Sequence, residues 1–153
     1  SDVCSSDLNI YTEKVAAYKP KSLITTCAGC LKTFRDLYPH YGAPNGFDVM
    51  HIVELLDNLA QENKLAFKDD APKVKVIYHD PCDMGRHMGV YEPPRNVLKS
   101  IPGVELLEFP LNRNLAKCCG GGGGMKGFDN EMASDIGYKR LLSAIAMVSA
   151  ILG

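Results

Sequence analysis

Thiol chemistry is the strongest signal in this sequence. Cys27-Ala28-Gly29-Cys30, Cys82 and Cys118-Cys119-Gly120 form three separate groups, and the last opens a run of glycines from Gly120 to Gly124. A Cys-x-x-Cys at a turn from strand to helix has two common uses. It can be a redox dithiol, with one thiolate stabilised by the helix N-terminus. It can also give two thiolates to one metal centre. Vicinal cysteines are poor tetrahedral partners for a single small ion and fit better where a multi-iron cluster offers more than one metal. Thiolate softness favours iron–sulfur or zinc over magnesium or calcium. Any one of these cysteines could be a small core residue; five at three such places favour ligands.

The glycine run lacks the Gly-Lys-Ser/Thr ending of a phosphate loop. It reads as backbone without side chains, so that Gly120 and Gly121 can approach a bulky inorganic group. Backbone N–H groups there could bond to its sulfurs and tune its potential. The plain alternative is a flexible loop. His79, Asp80, Arg86 and His87 surround Cys82. Arg86 could balance an anionic, thiolate-ligated cluster. Asp80 precedes Pro81 and suits a cap on the local turn. His79 and His87 could bind metal or relay a proton. Met84, Met88 and Met125 read as apolar packing, and His51 and Tyr91 as the neighbours of helix starts.

Positioning these groups requires strands that stop at them. Ser22–Thr26 is a short β-rich run into Cys27, and Lys73–Tyr78 alternates strictly before His79-Asp80-Pro81-Cys82. Val104–Phe109 is a third strand, and Asp48–Met50 a brief extended run. Helical patterns follow: Leu31, Phe34 and Leu37 after the first cysteines, then His51 to Asn63 with Ile52, Leu55, Leu56 and Leu59 on one face. Pro93 and Pro94 suit the first turn of a helix to about Ile101. Asp129 to Val148 reads as a long helix packed on the sheet, with Met132, Ile136, Leu141, Ile145 and Val148 on its apolar side. Pro39 to Gly46 and Asn112 to Gly127 read as loops. The alternation predicts an α/β fold, a layered sheet with flanking helices and Val74–Tyr78 as an inner strand. Ligands of such sheets bind at the strand ends where the cysteines lie.

Composition narrows the class. The chain has 153 residues, of which 46% are hydrophobic, enough for one ordinary core. Seventeen basic against 18 acidic residues leave a net charge of −1, which gives no general attraction to nucleic acid or an acidic membrane. No apolar run reaches the length of a membrane span. Residues 1–8 resemble a translated sequencing adapter and are set aside as an artefact, Cys4 with them. Five cysteines, two of them adjacent, argue against a disulfide framework. Reduced thiols place the chain in the cytoplasm, at a membrane only through a partner.

His79-Asp80-Pro81-Cys82, then Gly85-Arg86, then Cys118-Cys119-Gly120, resembles the cysteine-rich CCG domain family. That family includes B- and D-type heterodisulfide reductase subunits and iron–sulfur subunits of glycolate oxidase and lactate-utilisation complexes. Its complete motif runs cysteine, CCG, CxxC, usually twice in succession. The resemblance implies that Cys27 and Cys30 end a first motif, in residues 9–45. Cys82, Cys118 and Cys119 begin a second, in residues 46–153. It further implies metal binding by all five cysteines, as a noncubane 4Fe–4S cluster with zinc as the alternative. The partners implied are ferredoxin-like or flavin-containing redox subunits, and the substrate a disulfide or a 2-hydroxy acid pathway compound. Neither motif is complete in this window, so the segment by itself is expected to be inactive.

Overall fold

A computed structural model of the chain describes residues 2–42, 46–68, 72–122 and 124–152. Helix α1 (Asp2–Ala17) runs through the segment set aside above and ends before Pro20. Strand β1 (Ser22–Thr25) stops where the Thr25 hydroxyl accepts the Cys27 N–H at 3.1 Å. Cys27 then caps α2 (Ala28–Lys32). The helix widens into a π turn at Thr33–Leu37 and continues as α3 (Tyr38–His40). The loop expected from Pro39 therefore begins later. Pro39 lies within this continuous run, where it removes one backbone N–H donor just after the π turn.

Strand β2 (Asp48–His51) pairs parallel with β1, Ser22 opposite Asp48 and Thr25 opposite His51. The boundary expected between residues 45 and 46 falls between these two paired strands. Helix α4 (Ile52–Gln61) starts at a capping box: His51 Nδ1 accepts the Val53 N–H and the Glu54 carboxylate accepts the His51 N–H at 2.8 Å.

The second half repeats this plan. Strand β3 (Val74–Tyr78) is followed by α5 (Glu92–Ser100), whose first turn holds Pro93 and Pro94. Strand β4 (Val104–Glu108) then pairs parallel with β3, Val74 opposite Val104 and Tyr78 opposite Glu108. A single 3₁₀ turn at Arg113–Leu115 precedes the cysteine pair. Two helices follow, α6 (Met125–Phe128) and α7 (Asn130–Leu152). Each half is thus a parallel strand pair joined by a helical crossover, and the fold is α/β.

The strands are divided over two two-stranded sheets. Among the described residues β3 pairs only with β4, so it is not an inner strand, and its first two residues, Val74 and Lys75, are exposed. The shared core lies between the halves. Leu31 of α2, Met84 and Val90 are buried together, with Val49, Val53, Tyr78 and Met88 packed around them. This core seats the loop after Cys82 on the helix that follows Cys27.

Helix α7 departs from expectation. Most of its large apolar residues stay exposed, Met132 at 49% and Leu141 at 58%, while Ile136 is half-buried. The face that packs carries Ala133, Gly137 and Arg140, and it packs on the cysteine loop and Phe109 rather than on the sheet. Small residues win because they allow the closest backbone approach. Among the described residues no helix is long and apolar enough to cross a membrane.

Candidate functional site

Cys82, Cys118 and Cys119 line one pocket of about 210 Å³, together with His79, Asp80, Pro81, Arg86, His87, Arg113, Ala116 and Lys117. The pocket lies beyond the C-terminal ends of β3 and β4, because Cys82 follows the first strand and the cysteine pair follows the second. All three thiols are exposed.

Two sets of bonds hold the cysteine loops together. Arg86, four residues after Cys82, donates to the Ala116 carbonyl at 2.7 Å and to the Asn114 carbonyl at 3.3 Å. Its guanidinium therefore ties one loop to the other at the rim of the pocket. Asp80 reaches further than a local turn cap. Its two oxygens accept both terminal nitrogens of Arg95 at 2.7 and 2.8 Å, and Oδ2 also accepts the Arg113 N–H at 2.7 Å. Arg113 adopts φ +53° to make that contact, and its guanidinium donates to Glu92 at 2.7 Å.

Arg95 is fully buried and is the hub of this network. It donates to Asp80, to Glu108 at the end of β4, and to the Tyr91 carbonyl. The hydrogen bonds that Arg95 donates to Asp80 push its pKa up. Burial alone would raise the Asp80 pKa, but the bonds from Arg95 and Arg113 outweigh it and hold the carboxyl below its usual range. Tyr78, beneath Arg95, is pushed up to about 12 by burial and by the charge of Asp80.

Gly120 has a reason of its own. It sits at φ +76°, and a Cβ there would lie 2.1 Å from the Ala133 carbonyl oxygen and 3.1 Å from the Gly137 nitrogen. The loop thus rests directly on the backbone of α7, which cannot retreat. Its N–H donates to Cys118 Sγ at 3.3 Å. At Gly121 a Cβ would meet Cys119 Sγ at 3.8 Å, an ordinary contact. Gly123 lies outside the described residues. Gly120→Ala is expected to lower stability by about 2–3 kcal/mol, from left-handed backbone strain and an unrelieved clash. Chemical denaturation measures this, and an unchanged midpoint would refute the close approach. Gly121→Ala is the control and should stay near wild type.

His79 accepts a hydrogen bond at Nδ1 from Arg140 Nε at 3.2 Å. Burial, and then the Arg140 charge, lower its pKa below 6.5. The unfolded chain therefore takes up this proton first as pH falls, so stability declines below about pH 6.5 as His79 resists protonation in the fold. Replacing His79 with Asn should flatten the fall of the denaturation midpoint between about pH 7 and 5. Parallel profiles for the two proteins would assign that limb to other groups.

Cys27 and Cys30 do not line this pocket. They sit at the start of α2, and Gly29 between them lies against Asp83, the residue after Cys82; Lys32 pairs with Asp83 at 3.6 Å. The Cys27 pKa is lowered by the N–H of Cys30, its side chain and the N–H of Gly29, while the thiol hydrogen bond to Cys27 raises that of Cys30. Such a pairing is what a Cys-x-x-Cys at a helix start produces in a dithiol, and equally what pre-orients two sulfurs toward one centre.

The donor set fits a thiolate-bound cluster in kind. Three exposed thiols share a pocket with Arg86 and Lys117 on its wall, and a backbone N–H already points at one sulfur. Among the described residues no three Cys, His, Asp or Glu side chains are grouped as a ready ion site. Sequence reading missed Arg95, Arg113 and Arg140. Nothing local marks them, because their main partners lie far off in the chain: Asp80 and Glu108 for Arg95, Glu92 for Arg113 and His79 for Arg140.

Comparison with known proteins bears on this geometry. The profile of the cysteine-rich CCG domain matches residues 76–152. Over 146 residues, 95% of this chain and 36% of the relative, the sequence is 35% identical to the D-type component of the dihydromethanophenazine:CoB–CoM heterodisulfide reductase of Methanosarcina acetivorans. It is 33% identical to the probable iron-sulfur-binding oxidoreductase FadF of Bacillus subtilis, over 86% of this chain and 18% of that one. It is 38% identical to the EtfAB:quinone oxidoreductase of Syntrophomonas wolfei, over 81% of this chain and 17% of that one. The chain thus spans about a third or less of the length of these relatives. No solved structure matches it.

Proposed function

This chain belongs to the cysteine-rich CCG domain family, and on that premise we propose that it is part of an iron–sulfur oxidoreductase subunit of the heterodisulfide reductase type. The observation that carries the reading is the shared pocket of Cys82, Cys118 and Cys119 at the ends of two parallel strands. Similarity to a heterodisulfide reductase component and to two further oxidoreductases supports it.

In this reading Cys82, Cys118 and Cys119 would hold a noncubane 4Fe–4S cluster, and Cys27 and Cys30 would serve a neighbouring site. When bound, such a cluster supplies one-electron transfer. The chain's own residues prepare the place. Gly120 N–H steadies the Cys118 sulfur, Arg86 fixes the two loops against each other, and Arg95 anchors Asp80 behind Cys82. The donor is a ferredoxin-like or flavin-containing subunit, and the electrons go to a disulfide or come from a 2-hydroxy acid oxidation. The enzyme works in the cytoplasm, reaching a membrane only through a partner.

The test is anaerobic reconstitution of the full-length protein that carries this sequence, followed by iron and zinc analysis and electron paramagnetic resonance. Brown protein with bound iron and a spectrum that responds to reductant or disulfide is expected. Colourless protein holding stoichiometric zinc would overturn the redox reading.

A further inference from the structure

Asp57 of α4 is only 6% exposed, and its Oδ1 is buried without a hydrogen-bond partner. Its other oxygen accepts a neutral donor, the Asn96 side-chain amide of α5, at 3.1 Å. Among the described residues no Lys, Arg or His forms an ion pair with it. Asp80, equally buried, carries Arg95. A buried carboxylate without a counter-charge is expensive, so Asp57 is a place where a cation is favoured.

The surroundings of Asp57 show which kind. It lines a cleft of about 500 Å³ that shares no residue with the thiol pocket. Two more carboxylates stand on the wall: Asp48 of β2, which is exposed, and Glu54, one turn before Asp57 on the same face of α4. The cation among the lining residues is Arg35, and its guanidinium is taken up by Glu54 and the Val49 carbonyl. Asp48 and Asp57 are therefore in excess, and a recess with one sign of charge concentrates the field. Phe47, Val49, Met50 and Pro93 make much of the remaining wall apolar. Among the described residues no three Cys, His, Asp or Glu side chains are grouped as an ion site. A roomy, half-apolar cleft with a few charged groups suits an organic cation better than a bare metal ion.

We propose that the cleft between β2, α4 and the start of α5 binds an organic cation, an ammonium or guanidinium group on a short apolar stem. Asp57 and Asp48 are its counter-charges, and the apolar wall receives the stem. The same chemistry is offered by a free amine and by a lysine or arginine side chain. The site does not depend on whether the cysteines hold metal.

The experiment titrates the 153-residue chain with n-butylguanidinium chloride, neutral butan-1-ol and magnesium chloride, followed by nuclear magnetic resonance. The guanidinium should bind and shift signals of residues 48, 54 and 57; the alcohol should bind at least about fivefold more weakly. Asp48→Asn should weaken guanidinium binding about fivefold, one charge at contact distance in water-like dielectric. Asp57→Asn should weaken it at least about tenfold, because a buried charge is screened less. Asp57→Asn should also keep or raise the denaturation midpoint, since it removes an uncompensated charge. n-Butylguanidinium should raise the midpoint of wild type more than that of the variant. Equal binding of guanidinium and alcohol, unchanged affinity in both aspartate variants, or tighter binding of magnesium than of the guanidinium would overturn the site. Should Asp57→Asn fail to fold, Asp48→Asn still decides. The full-length protein then separates the two sources. Guanidinium binding there as well identifies a free cation as the occupant. Binding by the 153-residue chain alone identifies a basic side chain of the longer polypeptide, already seated in the cleft.

Discussion

Replacing Arg95 with Met is expected to destabilise the chain by about 3–5 kcal/mol, a large fraction of the roughly 5–15 kcal/mol that holds a domain together. Methionine fills much of the same volume, so the loss comes from charge and hydrogen bonding. Without the guanidinium, Asp80 at 3% exposure keeps a buried carboxylate whose remaining bond is the Arg113 N–H, and Glu108 loses both of its bonds. Adding Asp80→Asn to Arg95→Met should recover part of the loss, because it removes the stranded charge.

The pH dependence carries a second signature. The Asp80 carboxyl is held below its ordinary value of 3.8 in the fold. Its pairing therefore stabilises the chain above that value, and the contribution fades as pH falls through the folded pKa. The gap between wild type and Arg95→Met should accordingly be full at neutral pH and shrink toward strongly acid pH. Chemical denaturation across pH measures both effects. A midpoint within error of wild type at pH 7 would show that the network stabilises nothing.

This hub is also the clearest case of what a sequence reading does not reach. Lys73–Tyr78, Val104–Phe109 and the helix after Pro93 are legible from alternation and proline placement, each within a residue or two of the observed element. The meeting of Asp80 and Glu108 on Arg95 is not. It exists only once β3, α5 and β4 close a parallel crossover that brings Tyr78 opposite Glu108. Read locally, Asp80 before Pro81 suits a turn cap. In the fold its partners are a helix residue 15 positions away and a loop N–H 33 positions away.

The same limit explains the glycines and α7. Missing side chains at Gly120 were legible as close approach, and in the fold the Ala133 carbonyl makes one such approach. Helical periodicity marked Met132, Ile136, Leu141, Ile145 and Val148 as one apolar side. It could not weigh that side against the smaller face of Ala133 and Gly137, where backbone meets backbone. The grouping of Cys82, Cys118 and Cys119 in one pocket was legible without any fold, because cysteines at strand ends stand out by residue type and spacing.

That chemistry sets the other large effect expected. In the full-length protein, Cys118→Ser and Cys119→Ser should each lower bound iron and its paramagnetic signal by at least about tenfold, since losses around a metal's ligands alone cost 10–100-fold in affinity. A serine oxygen is a harder ligand, ill matched to iron–sulfur chemistry. Electron transfer should go with the iron. The fold should remain, because both thiols are exposed and neither belongs to the buried core of Leu31, Met84 and Val90. The Arg95 network closes the crossover without them. Circular dichroism should therefore match wild type, unlike a small zinc finger that unfolds when a ligand is lost. Cys118 should show a further difference. Its sulfur accepts the Gly120 N–H, and a serine oxygen can take that bond at shorter range, so the loop should keep its shape while the ligand is lost. Unchanged iron and spectra in both variants would refute the assignment of Cys118 and Cys119 as ligands. Loss of iron together with loss of helical signal would refute the separation of metal binding from folding.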